Sequence, residues 1–204
     1  MRAMTLSALL PQALALATAS LSLSLVGCAP TKPLATAPYV DLDRFMGDWY
    51  VQGHIPASSE KTAHNAVESY ARDGETRILT SYVFRKGAFD GKVKTMEPTG
   101  FVSNEQTNAT WGMRFLWPFK AEYLVGYVDN AYSETIIARS KRDYVWIMTR
   151  DPEISNERYS ALVERVRAME YDVTELRRVP QRWPDPEHPV AAAGGDLARY
   201  TREQ

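Results

Sequence analysis

The 204-residue chain holds a single cysteine, Cys28. No disulfide can form within it, even in an oxidising compartment. Its three histidines, His54, His64 and His188, show no metal-ligand spacing, which argues against a zinc-type centre. Glycine-rich phosphate loops are missing, and no serine sits in a nucleophile-elbow pattern. There is no excess of positive charge either: 24 Lys and Arg stand against 25 Asp and Glu, so no basic field is available for nucleic acid. No activated-nucleophile, metal-binding or phosphate-binding motif is present, and the chain reads as a non-enzyme without cofactors.

Charge is scarcest at the N-terminus. Arg2 is the only charged residue in the first 27, and the rest is a Leu/Ala/Ser-rich body with the form of a secretory signal peptide. The run is long enough to cross a bilayer, but Pro11, the many serines and the lack of a basic cluster after it favour cleavage. Its end, Leu25-Val26-Gly27-Cys28, resembles a bacterial lipobox. That resemblance implies cleavage between Gly27 and Cys28 and acylation of the Cys28 thiol, and several acyl chains on one cysteine hold a protein stably on a membrane. Ala29 follows the cysteine, where similar lipoproteins retained in the inner membrane carry aspartate, so the outer membrane is the expected location. Without Arg2 the formal charge moves from −1 to near −2.

The remainder divides by composition. Residues 1–27 are the expected signal peptide, and 28–38 ("CAPTKPLATAP") a lipidated tether. Residues 39–179 form one domain. Residues 180–204 ("PQRWPDPEHPVAAAGGDLARYTREQ") are proline-rich and aperiodic, and are expected to be a disordered tail. Within the domain, strands are expected at 48–55, 65–71, 77–84, 92–101, 108–115, 121–128, 134–139 and 143–149, and Asp73-Gly74 marks a hairpin. Short strands without interleaved helices suggest an antiparallel barrel or sandwich. One helix is expected after Ser155, a good N-cap, with Tyr159, Leu162, Val163, Val166 and Met169 forming an apolar stripe. A short strand at 175–179 can follow.

Three blocks then carry a resemblance. Gly47-Asp48-Trp49-Tyr50 opens the first strand, Asp129-Asn130-Ala131-Tyr132 follows the sixth, and Arg142 to Arg150 ("RDYVWIMTR") closes the eighth. In order and spacing they resemble the lipocalins, especially the bacterial outer-membrane lipoproteins and their apolipoprotein D-like relatives. The resemblance implies an all-β fold: an eight-stranded antiparallel up-and-down β-barrel, with one C-terminal α-helix packed outside and a short ninth strand. It also implies that Gly47, Trp49, Asp129, Tyr132 and Arg150 are structural, with the Arg150 guanidinium stacked on Trp49 to plug the closed end.

Strand alternation then nominates a lumen wall: Val51 and Gly53 in phase with Trp49, Tyr70 and Tyr82 on the next two strands, Trp111, Met113 and Phe115 on the fifth, and Tyr123, Val125 and Tyr127 on the sixth. A one-residue register slip would reverse any of these assignments. Basic residues near loop ends, Lys61 and Arg114, are candidates to meet a ligand head group. The function implied is a membrane-anchored carrier of a fatty acid or lysophospholipid. The partners are that hydrophobic small molecule, the membrane through Cys28 and, in a homodimer, a second copy of the chain, with no nucleic acid. The alternative is a structural or interaction lipoprotein whose barrel is filled and whose surface or tail recruits a partner.

Overall fold

The computed structural model describes residues 32–189. The expected signal peptide with Gly27, the expected lipidation site Cys28 and the last fifteen residues of the chain lie outside that range. Nine strands wind in sequence order: β1 (Gly47–Ile55), β2 (Ala63–Arg72), β3 (Arg77–Lys86), β4 (Val93–Met96), β5 (Thr99–Val102), β6 (Thr110–Leu116), β7 (Phe119–Val128), β8 (Glu134–Ala138) and β9 (Val145–Thr149). Each ladder is antiparallel, and β1 pairs with β9 as well as β2, which closes the sheet into a barrel. Closure removes the unpaired edge that an open sheet would expose. β4 and β5 both pair with β3 and are two halves of the expected 92–101 strand. Pro98 divides them, since it cannot donate to a ladder, and its carbonyl instead accepts from the Thr80 N–H and hydroxyl at 3.3 and 2.5 Å.

One short helix goes beyond the sequence reading. Helix α1 (Leu42–Phe45) is capped by the Asp41 carboxylate, which accepts from the Asp43 and Arg44 N–H groups. It lies across the closed end, where Phe45 and Trp49 are fully buried. The Phe45 ring centroid is 5.2 Å from Trp49, 5.4 Å from Tyr70 and 5.6 Å from Trp111, and the Trp49 indole N–H donates to the Phe45 carbonyl at 2.8 Å. Below this cluster, the Arg150 guanidinium carbon sits 3.8 Å over the Trp49 ring. The same guanidinium donates to the carbonyls of Asp48, Phe45 and Met46 at 2.6–3.1 Å. Gly47 has φ +91°, and a Cβ there would stand 3.4 Å from Arg150 Nη1. The backbone conformation, rather than crowding, therefore calls for glycine. Asp129 gathers the N–H groups of Ala131, Ser133 and Glu134 at 2.7–3.2 Å, and the Tyr132 hydroxyl accepts from the Asp41 N–H at 2.7 Å. The three sequence blocks thus meet at one end of the barrel.

The barrel's outer face is covered in two places. Helix α2 (Asn156–Ala168), capped by Ser155, buries Leu162 and Val166 against Ile136, Ala138, Val145 and Ile147 of β8 and β9. After it, β10 (Arg177–Arg178) pairs with β1. The expected domain limits are then corrected at both ends. On the N-terminal side, Ala37 of the tether is buried and donates its N–H to Val125 O at 2.8 Å. On the C-terminal side, residues 180–189 are not a loose tail. Gln181 donates to Val51 O and Ala66 O, Trp183 packs edge-on against Tyr50 at 5.2 Å, and Asp185 accepts two hydrogen bonds from buried Arg85 at 2.6 and 2.7 Å. That clamp explains why β2 and β3 bury both faces: Val67 and Val83 face Trp183 while Tyr70 and Tyr82 face inward.

Two β-bulges overturn two lumen assignments. The β1–β9 register shifts between Val51 and Gly53, so Val51 stays with the interior cluster while Gly53 faces out. A Cβ on Gly53 would come within 2.6 Å of the Tyr159 hydroxyl on α2; the glycine makes room for the helix, not for a ligand. The β7–β8 register shifts between Val125 and Tyr127. Tyr127 therefore leaves the lumen and packs with α2, its ring 4.1 Å from the Arg165 guanidinium carbon. An extra residue in one strand reverses the alternation of everything beyond it.

Candidate functional site

The open half of the barrel encloses a cavity of about 270 Å³. Its wall comes from β2, β3, β4, β6, β7 and β9, from Pro98, and from the β1–β2 and β8–β9 loops. Tyr82, Met113, Phe115 and Tyr123, four of the expected lumen residues, line it. Four others, Val51, Tyr70, Trp111 and Val125, are buried in the interior cluster but do not line the cavity. Trp111 makes a tight layer with Tyr70 (5.8 Å, edge-on) and Tyr123 (5.7 Å, stacked). These four form a filled floor, and the ligand space begins above them. The basic candidates are elsewhere: Lys61 is exposed, and Arg114 covers Phe101 at 4.7 Å rather than lining the cavity.

The cavity also contains residues that the sequence reading passed over. Glu60, on the loop after β1, and Glu68, on β2, both line it and are 6 % exposed. Trp146 of β9 lines it too, and its indole N–H donates to Glu60 Oε2 at 3.1 Å. His54 lies 3.8 Å from the same oxygen. Glu68 was legible in principle, since it is two residues before Tyr70 on one strand and therefore on the same face. Glu60 sits on a loop, where no periodicity applies.

Burial governs how these groups ionise. The Glu68 carboxyl is pushed from an ordinary 4.5 up to about 8, first by desolvation and then by the charge of Glu60, against hydrogen bonds from Tyr70 and Tyr123. Glu60 is raised by desolvation, opposed by the Trp146 hydrogen bond. His54 is lowered to about 4 by desolvation and by Arg177. It is therefore neutral at pH 7 and cannot serve as a counter-ion.

A stability effect follows from Glu68. Between pH values of about 4.5 and about 8 the folded protein keeps a proton on this carboxyl that the unfolded chain has lost. More protons are bound in the folded state, so its stability falls as pH rises through that window and levels off above it. Glu68→Gln removes the linkage. The stability of E68Q relative to the parent is expected to grow between pH 5 and pH 8.5 by a few kcal/mol, at about 1.4 kcal/mol per pH unit in full linkage. Thermal unfolding of both proteins across that range checks this, and a difference that does not change with pH would contradict it.

At the rim, the β6–β7 hairpin exposes a run of large apolar side chains. Phe115, Leu116, Trp117 and Phe119 are 63–77 % accessible, and Arg114 and Lys120 flank them in sequence. Phe115 belongs to both the hairpin and the cavity wall. Among the described residues, no group of His, Cys, Asp and Glu could hold a metal ion, and no helix is long and apolar enough to cross a membrane.

Comparison with known proteins agrees with this architecture. Among curated proteins, temperature-induced lipocalin-1 of Arabidopsis thaliana is 25 % identical over 168 residues, covering 78 % of this chain and 89 % of the plant protein. The outer membrane lipoprotein Blc of Escherichia coli K12 is 26 % identical over 147 residues, covering 69 % of this chain and 81 % of Blc. Insecticyanin from the tobacco hornworm Manduca sexta shares the fold at a TM-score of 0.57 with 14 % identity, over 76 % of this chain and 87 % of its own. The family model described as a lipocalin-like domain matches residues 40–181, a span that holds the three barrel-closing blocks and every strand, and the chain belongs to the lipocalin family.

Proposed function

We propose that the protein is a lipid-binding lipocalin, anchored to the bacterial outer membrane through acylated Cys28, that holds a fatty acid or lysophospholipid in its calyx and serves envelope maintenance. The observation that carries this reading is the cavity of about 270 Å³, which opens beside an apolar, aromatic hairpin flanked by two basic residues. A filled barrel, as a purely structural lipoprotein would have, leaves no such space. The volume lies just under the usual range of about 300–1,000 Å³ for small-molecule sites. It suits one end of an amphiphile, with the rest lying over the rim. Trp, Phe and Leu beside Arg and Lys are the side chains that settle at a membrane–water interface, so the hairpin can hold the mouth against lipid while Cys28 tethers the chain. Binding gains roughly 25 cal/mol per Å² of apolar surface removed from water, before ordering costs. No step of covalent chemistry enters this role.

The test is equilibrium titration of the chain carrying Cys28→Ala with a fluorescent fatty acid and a fluorescent lysophospholipid. Saturable binding is expected for at least one. Ala121→Trp, which puts an indole into the cavity wall, is expected to weaken it by about tenfold or more, equivalent to about 1.4 kcal/mol. Binding that never saturates, or that is indifferent to A121W, would contradict a calyx site.

A further inference from the structure

The cavity wall is not what an alkyl chain alone requires. Glu60 and Glu68 are buried in it, and Glu122 also lines it, with its carboxylate accepting from the Ser140 N–H and hydroxyl at 2.6 and 2.9 Å. The only positive side chain of the lining is Arg139, whose Nη1 donates to Asp143 at 3.1 Å while its buried Nε has no hydrogen-bond partner. Three carboxyl groups therefore face one guanidinium, part of which is paired outside the cavity. Buried carboxyl groups without a counter-charge are costly, and the cost falls when a cation arrives between them.

Two further observations point the same way. The Tyr82 hydroxyl lines the cavity, its residue is 5 % exposed, and it has no hydrogen-bond partner. A buried hydroxyl left unmatched in the empty protein is a place for a ligand's polar group. The wall around it is aromatic. Tyr82, Tyr123, Tyr144 and Trp146 all line the cavity, and the Tyr123 and Trp146 ring centroids are 6.2 Å apart. Ring faces attract a cation, most strongly where water is excluded, and an aromatic cage beside carboxylates suits an ammonium group.

We infer that the calyx accepts an amphiphile whose inward end carries an organic ammonium group, held between Glu60 and Glu68 and faced by Tyr82, Tyr123 and Trp146. This rests on the calyx being the ligand site. Of the two ligand classes proposed above, it selects lysophospholipids with an ammonium-bearing head group over fatty acids. Binding a cation ionises Glu68 and releases a proton. The other titratable or charged groups facing this pair are His54, neutral near pH 7, the hydroxyls of Tyr70, Tyr82 and Tyr123, Glu122 and Arg139. Because Glu68 titrates from a raised position, affinity for a cation rises with pH toward about 8.

Water-soluble probes of one chain length separate the possibilities: octylammonium, octyltrimethylammonium, octanoate and neutral octanol, titrated by calorimetry into the full chain reconstituted in nanodiscs, with empty nanodiscs as the blank. At pH 8 the ammonium probes are expected to bind about tenfold or more tighter than octanoate, and octylammonium to release protons. Whether primary or quaternary ammonium binds better identifies the head-group type. Glu68→Gln is expected to reduce the preference to about threefold or less while octanol binding is retained. Tyr82→Phe removes the hydroxyl that can accept from an ammonium N–H but keeps the ring and the charge of the site, so it is expected to weaken octylammonium several-fold and to leave octyltrimethylammonium nearly unchanged; no loss for octylammonium would count against this placement of the head group. Octanol binding without an ammonium preference would overturn this inference and leave the calyx reading standing. Failure of all four probes would overturn both.

Discussion

Replacing Trp49 with alanine is expected to destabilise the barrel by about 3–5 kcal/mol, the usual cost of deleting a fully buried large aromatic side chain. Trp49 is 0 % exposed and supports the closed end from both sides. Above it stand Phe45, Tyr70 and Trp111, and below it Arg150 stacks at 3.8 Å. The variant also strips the Arg150 guanidinium of the ring it covers. Burial already pulls that guanidinium down to about 10, so what remains for it is a set of backbone carbonyls. Urea unfolding of the two proteins measures the loss. An unchanged midpoint would show that the plug does not hold the barrel shut.

Asp185→Ala is expected to cost about 2–4 kcal/mol, somewhat below the 3–5 of a deeply buried ion pair broken on one side. The carboxylate accepts two hydrogen bonds from Arg85 and one from Asn65, and the Asn65 side chain in turn holds the Arg182 backbone through both its oxygen and its nitrogen. Removing Asp185 leaves the Arg85 guanidinium, 6 % exposed, without its main partner and releases the C-terminal clamp from β2 and β3. The hydrogen bonds from Arg85 hold the Asp185 carboxyl down to about 2 against an ordinary 3.8. Its contribution is therefore complete above about pH 4 and is lost as pH falls through 2. Denaturant unfolding at pH 7, with limited proteolysis after residue 180, checks this. A change within about 0.5 kcal/mol, as for an ordinary surface substitution, would mean that the segment is a free tail.

The parts of this architecture visible in the sequence are those fixed by local chemistry. Gly47, Trp49, Asp129, Tyr132 and Arg150 were nominated by their blocks, and the structure gathers them at one barrel end because each fills a backbone requirement: a positive φ, an indole to stack on, a turn to cap. The Ser155 cap and the Leu162–Val166 face of α2 follow from helical spacing in the same way. What alternation could not give was phase. A β-bulge adds one residue without any signature in composition, and two of them moved Gly53 and Tyr127 outside. The clamp at residues 180–189 was hidden for a different reason. Its prolines and charges have the composition of a disordered segment, but Asp185 is satisfied by Arg85, a partner 100 residues away in the chain. Glu68 has the lumen spacing, two residues from Tyr70, but a carboxyl carries no apolar signal, so alternation of bulky residues does not single it out.

The proposed role requires that the open half of the barrel hold a lipid. The most direct measurement is organic-solvent extraction of the chain purified from its own membranes, with mass spectrometry of what it carries, alongside A121W prepared in the same way. The expected result is a lipid enriched over the bulk membrane composition in the parent protein and depleted in A121W. A lipid profile that matches the bulk membrane in both proteins would contradict the carrier role.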